Sequence, residues 1–111
     1  MGYYTTFTLS ASDRGEDIET WISELTDDPD NYYLKMLEPY GDATWGMNAK
    51  WYESDEDMCR VSLAFPEVEF VLDGSGEETG DIWRDWFING SKYAHWSANI
   101  TIPNDPGPWR V

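Results

Sequence analysis

Carboxylates are the reactive groups this chain supplies in quantity: 22 Asp and Glu stand against seven Lys and Arg, one His and one Cys in 111 residues. His95 and Cys59 are single, so neither a zinc cluster nor a Cys–His pair with supporting groups is evident. No phosphate-cradling glycine loop precedes a helix with a lysine. Paired carboxylates hydrolyse glycosidic bonds when one gives a proton and the other attacks or activates water, but this many acids single out no pair. As a calcium loop the run Asp73 to Asp81 fails in detail. Glu78 stands where an EF-hand needs Gly, and Arg84 stands at the bidentate Glu position. The expectation is a protein with no catalytic residues, no cofactor and no metal.

The acids form three groups. One runs from Asp13 to Asp30 and includes Glu16, Asp17, Glu19, Glu24, Asp27 and Asp28. A second is Glu53, Asp55, Glu56 and Asp57, and a third is Glu67, Glu69, Asp73, Glu77, Glu78, Asp81 and Asp85. A solvated helix face, or a helix N-terminus whose dipole favours acids, accounts for any one group alone. Together they leave a net charge of −15 and forgo the gain that helices draw from alternating charge signs. A magnitude of about 2 to 8 normally suffices for a small domain. Such a field repels nucleic acid and anionic lipid and attracts basic proteins. Carboxylates held on rigid elements imitate the phosphates of a duplex, which carries about one charge per 1.7 Å of axis. The expected partner-binding acidic surface is Glu16, Asp17, Glu19, Glu24, Asp27, Asp28, Glu53, Asp55, Glu56, Asp57, Glu77, Glu78 and Asp81. Its expected partner is a basic, nucleic-acid-binding protein, with no direct nucleic acid and no membrane. Solubility, or a salt-adapted source, is the plainer alternative.

Elements must position these groups, and the apolar pattern supplies them. Hydrophobic residues make up 41% and aromatics 16%, enough to build a core and unlike the composition of disordered chains. Tyr3 to Leu9 reads as a strand with Phe7 and Leu9 on one face. Asp13 with Glu16 has capping-box spacing, and Ile18, Trp21, Ile22 and Leu25 then follow helical period. Residues 31–40 admit two readings, a short helix begun by Asp28-Pro29 or an extended segment ending before Pro39. Trp45, Met47, Ala49 and Trp51 alternate as a half-buried strand. Ser54 with Asp57 is a second capping box, opening a helix that buries Met58, Val61 and Phe65 and stops before Pro66. Val68, Phe70 and Leu72 alternate in another strand, with Gly74 to Gly80 as an acidic loop.

Asn89-Gly90 between strand-like runs predicts a two-residue type I′ hairpin, because both turn residues need positive φ. Counting back from it pairs Phe87 with Lys92, Trp86 with Tyr93, Asp85 with Ala94, Arg84 with His95, and Trp83 with Trp96. The run Ala94, Trp96, Ala98, Ile100, Ile102 marks the Trp83 side as core. Ile82, Arg84, Trp86, Tyr93 and His95 then form a second expected surface, an open aromatic sheet face rich in the usual interface anchors. A general interaction or regulatory module using that face is the alternative reading, and a second copy of the chain is one partner it would admit.

From Tyr33 to Lys92 the chain resembles the YubB-like ferredoxin-fold proteins of phages and plasmids. The matching pieces are Tyr33-Leu34-Lys35-Met36-Leu37-Glu38-Pro39, Trp45-Gly46, Lys50-Trp51, Ser62-Leu63-Ala64-Phe65-Pro66, Phe70, Glu77-Glu78-Thr79-Gly80 and Asn89-Gly90. The resemblance implies a ferredoxin-like fold and a mobile-element source, and it implies no activity. The expected architecture is an α+β, ferredoxin-like sandwich with a mainly antiparallel sheet and two helices on one face. Residues 1–102 form the single expected domain and 103–111 a Pro-rich tail. The lone Cys and the absence of an apolar leader or of an apolar run near 18 residues fit a cytoplasmic location.

Overall fold

The computed structural model describes residues 4–77 and 80–98. Glu78, the continuation of the core run at Ile100 and Ile102, and the Pro-rich segment 103–111 lie outside the described residues. In chain order the elements are β1 (Thr5–Ala11), α1 (Gly15–Ser23), a 3-10 turn (Pro29–Asn31), α2 (Tyr32–Met36), β2 (Glu38–Gly41), β3 (Thr44–Ala49), α3 (Ser54–Ala64), β4 (Phe70–Gly76), β5 (Ile82–Ile88) and β6 (Ser91–Ser97). The strands make one 6-stranded antiparallel sheet in the order β2-β3-β1-β4-β5-β6. Its first four members, with the crossovers through α1 and α3, form the split βαβ arrangement of ferredoxin-like folds, and the β5–β6 hairpin extends that sheet by its free edge. The expected α+β sandwich is the architecture found.

Alternation along the strands decides where the core lies. Phe7 and Leu9 of β1, Trp45, Met47 and Ala49 of β3, Phe70 and Leu72 of β4, and Phe87 of β5 share one face. Ile18 and Ile22 of α1, Leu34 of α2, and Met58 and Val61 of α3 are buried against them. The helices therefore cover that face, and the other carries Thr6, Thr8, Asp73, Ser75, Ile82, Arg84 and Trp86. Phe7 links the layers, with ring centroids 5.2 Å from Trp51 and 5.7 Å from Trp83, both edge-on. Gly74 is required beneath Trp83, its direct partner across β4–β5, because a Cβ there would meet the indole at 2.2 Å.

Four expectations need correction. Of the two readings of residues 31–40 the helix holds, as α2 over Tyr32–Met36, whereas the extended segment ending before Pro39 fails, because the edge strand β2 begins only at Glu38 and runs through Pro39 to Gly41. Strand β4 runs on to Gly76, so the acidic loop is shorter than Gly74 to Gly80; pairing to Thr5 and Ile82 on either side extends it. Neither capping box forms. Arg14 precedes α1 in the left-handed region at φ 62 and Glu53 precedes α3, with no side-chain cap bond at either. Acids in the first turns, Glu16 and Asp17 of α1 and Asp55, Glu56 and Asp57 of α3, meet the helix dipoles instead.

The fourth correction is the hairpin register. Asn89 and Gly90 take φ 49 and 83, as a type I′ turn requires, and Phe87 pairs with Lys92 as expected. A bulge then intervenes, so that Trp86 faces Ala94, Asp85 faces His95, Arg84 faces Trp96 and Trp83 faces Ser97. One inserted residue, Tyr93, exchanges the faces of everything beyond it on β6. Trp96 moves to the open face and His95 to the helix side.

Candidate functional site

Helices α1 and α3 bury their apolar stripes on the sheet, which turns their acids outward. Glu16, Asp17, Glu19, Glu24, Asp27, Asp28, Glu53, Asp55 and Glu56 are all exposed. The 3-10 turn joins the first two groups: Asp30 shares a groove of about 540 Å³ with Glu53, Glu56 and Arg60, and Tyr33 lines it. Asp57 lines the same groove but is turned inward. It is 9% exposed, accepts the Trp51 indole N–H at 2.7 Å and lies 3.2 Å from Arg60. A buried indole donor needs an acceptor, and Asp57 supplies it.

In the third group cations and donors hold most of the described carboxylates. Arg84 grips Asp73 bidentately at 2.5 and 2.9 Å, Arg14 bonds to Glu67, and the Tyr93 hydroxyl donates to Glu69. Asp85 is 4% exposed and contacts His95. Glu77 accepts the Tyr4 backbone N–H at 2.6 Å, and the Asp81 carbonyl accepts the Gly76 N–H at 2.7 Å.

Most of the described basic residues are paired in place. Arg14 also pairs with Asp17 at 3.0 Å, Lys35 with Asp27 at 2.6 Å, and Lys92 with Asp55 at 2.8 Å. Hydrogen bonds from Lys35 and from Arg14 hold the Asp27 and Glu67 carboxyls below the usual carboxylate range. The bond to Asp55, and then the charges of Asp85 and Asp55, raise the Lys92 ammonium. Among the described residues no Lys or Arg pairs with Glu16, Glu19, Glu24, Asp28, Glu53 or Glu56. No three His, Cys, Asp or Glu among the described residues come together to hold a metal.

The open sheet face is different in kind. Ile82, Arg84 and Trp86 line a concavity of about 520 Å³ with Thr6, Thr8, Asp73, Ser75 and Trp96. The Arg84 guanidinium stands 5.8 Å from the Trp86 ring centre. Tyr93 is 50% exposed and reaches Glu69 from the same side. His95 leaves the expected set: the bulge pairs it with Asp85, whose other oxygen is 3.9 Å from Lys92. Sequence reasoning missed Trp96 and Asp73 as members of this face. Asp73 was legible from strand alternation once β4 was known to continue; Trp96 had no local signal, since nothing near Tyr93 announces a bulge.

No helix among the described residues is long and apolar enough to cross a membrane. Comparison of the chain with family models, with curated proteins and with solved structures returned no match.

Proposed function

We propose that the protein is a non-catalytic acidic binder that occupies the nucleic-acid site of a basic host protein, imitating a phosphate backbone and inhibiting that host. One observation carries this reading: five cations, Arg14, Lys35, Arg60, Arg84 and Lys92, are tied to carboxylates within the fold, while among the described residues Glu16, Glu19, Glu24, Asp28, Glu53 and Glu56 stay exposed with no Lys or Arg paired to them. Those six acids lie on or beside the helices that cover one side of the sheet, where a partner could meet them together. The resemblance to phage and plasmid proteins supports a mobile-element source, whose targets are host proteins that handle nucleic acid.

The test is capture of host proteins on the immobilised chain, elution with rising salt, and competition by duplex DNA or RNA. A nucleic-acid-binding protein should be recovered and displaced by its own nucleic acid. The variant E16Q/E19Q/E53Q/E56Q should keep its fold and weaken binding at least about tenfold. Recovery of no such protein, or capture indifferent to these four changes, would sink the proposal. A second reading rests on the exposed Trp96, Tyr93, Ile82 and Ile88. If the sheet face makes the contact, Trp86→Ala or Tyr93→Ala abolishes partner binding and charge neutralisation barely alters it.

A further inference from the structure

Trp96 reaches the open sheet face only because Tyr93 bulges. In regular pairing it would stand opposite Trp83 on the core side; in the structure it faces Arg84 and remains 52% exposed. Bulges recur beside functional sites, where they re-aim one side chain. Here the re-aimed chain is an indole, placed across the strand from Arg84, with Trp86 two positions along β5 on the same side. The concavity they line, about 520 Å³, falls within the range of roughly 300 to 1,000 Å³ typical of small-molecule sites.

The polar part of this site has a definite chemistry. Arg84 spends two of its N–H groups on Asp73, which leaves guanidinium donors and carboxylate lone pairs facing solvent side by side. A donor next to an acceptor matches two neighbouring hydroxyls, since each hydroxyl both gives and takes a hydrogen bond. The indoles supply flat apolar walls against which the C–H face of a ring can pack. Charge narrows the class further. The ion pair is neutral in sum, and the protein's net −15 repels anionic ligands such as nucleotides or lipid headgroups. A cationic ligand would have to displace Arg84 from Asp73.

We propose that this concavity binds a neutral saccharide, one sugar ring packing against Trp96 with adjacent hydroxyls on the Arg84–Asp73 pair. The site lies on the opposite face of the sheet from the acidic helix layer, so the two proposals stand or fall separately. The test titrates the full chain with neutral tetrasaccharides of glucose, mannose, galactose and N-acetylglucosamine to about 10 mM, read by calorimetry and tryptophan fluorescence. At least one should bind, and Trp96→Ala should weaken it at least about fivefold. Asp73→Asn, which removes the charge while keeping an acceptor, should weaken it less than Asp73→Ala. Circular dichroism confirms that each variant folds. Absence of binding by all four tetrasaccharides, or binding unchanged in Trp96→Ala, overturns the proposal. Sedimentation run in parallel identifies the competing occupant: if Trp96→Ala abolishes self-association and no saccharide binds, the face belongs to a second copy.

Discussion

Asp57→Ala removes the acceptor of a buried indole and one partner of Arg60, and the structure allows the loss to be apportioned. Trp51 is 3% exposed and its N–H lies 2.7 Å from Asp57 Oδ2. Left without an acceptor, that donor costs about 1 to 3 kcal/mol in desolvation. Arg60 loses less. Its side chain is 43% exposed, and it keeps bonds to the Asn31 side chain and the Asp30 carbonyl at 2.8 Å, so its share is about 0 to 1 kcal/mol. Loss of a negative charge from the first turn of α3 adds about 0.3 to 1 kcal/mol. The sum is about 1.3 to 5 kcal/mol, a shift of roughly 0.7 to 2.5 M in a urea midpoint for a slope near 2 kcal/mol/M. Asp57→Asn keeps an oxygen for Trp51 and should cost about 1 kcal/mol. The assay is urea unfolding of both variants and of Trp51→Phe, with the double variant closing a cycle whose coupling should reach about 1 to 2 kcal/mol. If Asp57→Ala unfolds within about 0.5 kcal/mol of the parent, Asp57 is a surface acid like its neighbours and the division between structural and displayed carboxylates fails.

Gly74→Ala should destabilise by about 1 to 3 kcal/mol and alter tryptophan emission, because its Cβ would lie 2.2 Å from the Trp83 indole. Gly41→Ala, with nothing within 4 Å, is the matched control and should stay within about 0.5 kcal/mol. The Glu67 carboxyl is depressed from 4.5 by its bond to Arg14. Its contribution is therefore complete above the unfolded value and lost as pH falls through the folded one. Arg14→Ala should return its NMR titration midpoint toward 4.5, and an unmoved midpoint refutes the pairing. Self-repulsion at −15 predicts that the thermal midpoint rises as salt shortens the Debye length from about 30 Å at 0.01 M to 8 Å at 0.15 M. A falling midpoint would mean that the ion pairs outweigh the repulsion.

Charge and aromatic chemistry are divided between the two sides of the sheet, and the division follows from strand period. Helices cover one face, so the exposed acids of α1 and α3 lie on that side. The uncovered face keeps Thr6, Thr8 and Ser75 around one neutralised pair, with Trp86 and Trp96 as its apolar walls. A partner that reads charge and a ligand that reads shape would therefore approach from opposite directions.

Sequence alone determined what depends on local period and local turn chemistry. Helical spacing of Ile18 and Ile22, alternation of Trp45, Met47 and Ala49, and positive φ at Asn89-Gly90 place α1, β3 and the hairpin turn without reference to the rest of the chain. Composition likewise set the net charge, since that is a count. Tertiary structure decided what depends on partners distant in the chain. Residues 31–40 became helix and then strand because β3 offered an edge to Glu38 and Pro39. Asp57 is turned inward from the acidic groove to accept the Trp51 indole N–H. Trp96 and His95 exchanged faces because one residue bulged, an event that sequence period cannot register, since a slip of one position leaves the same alternation with the sides reversed.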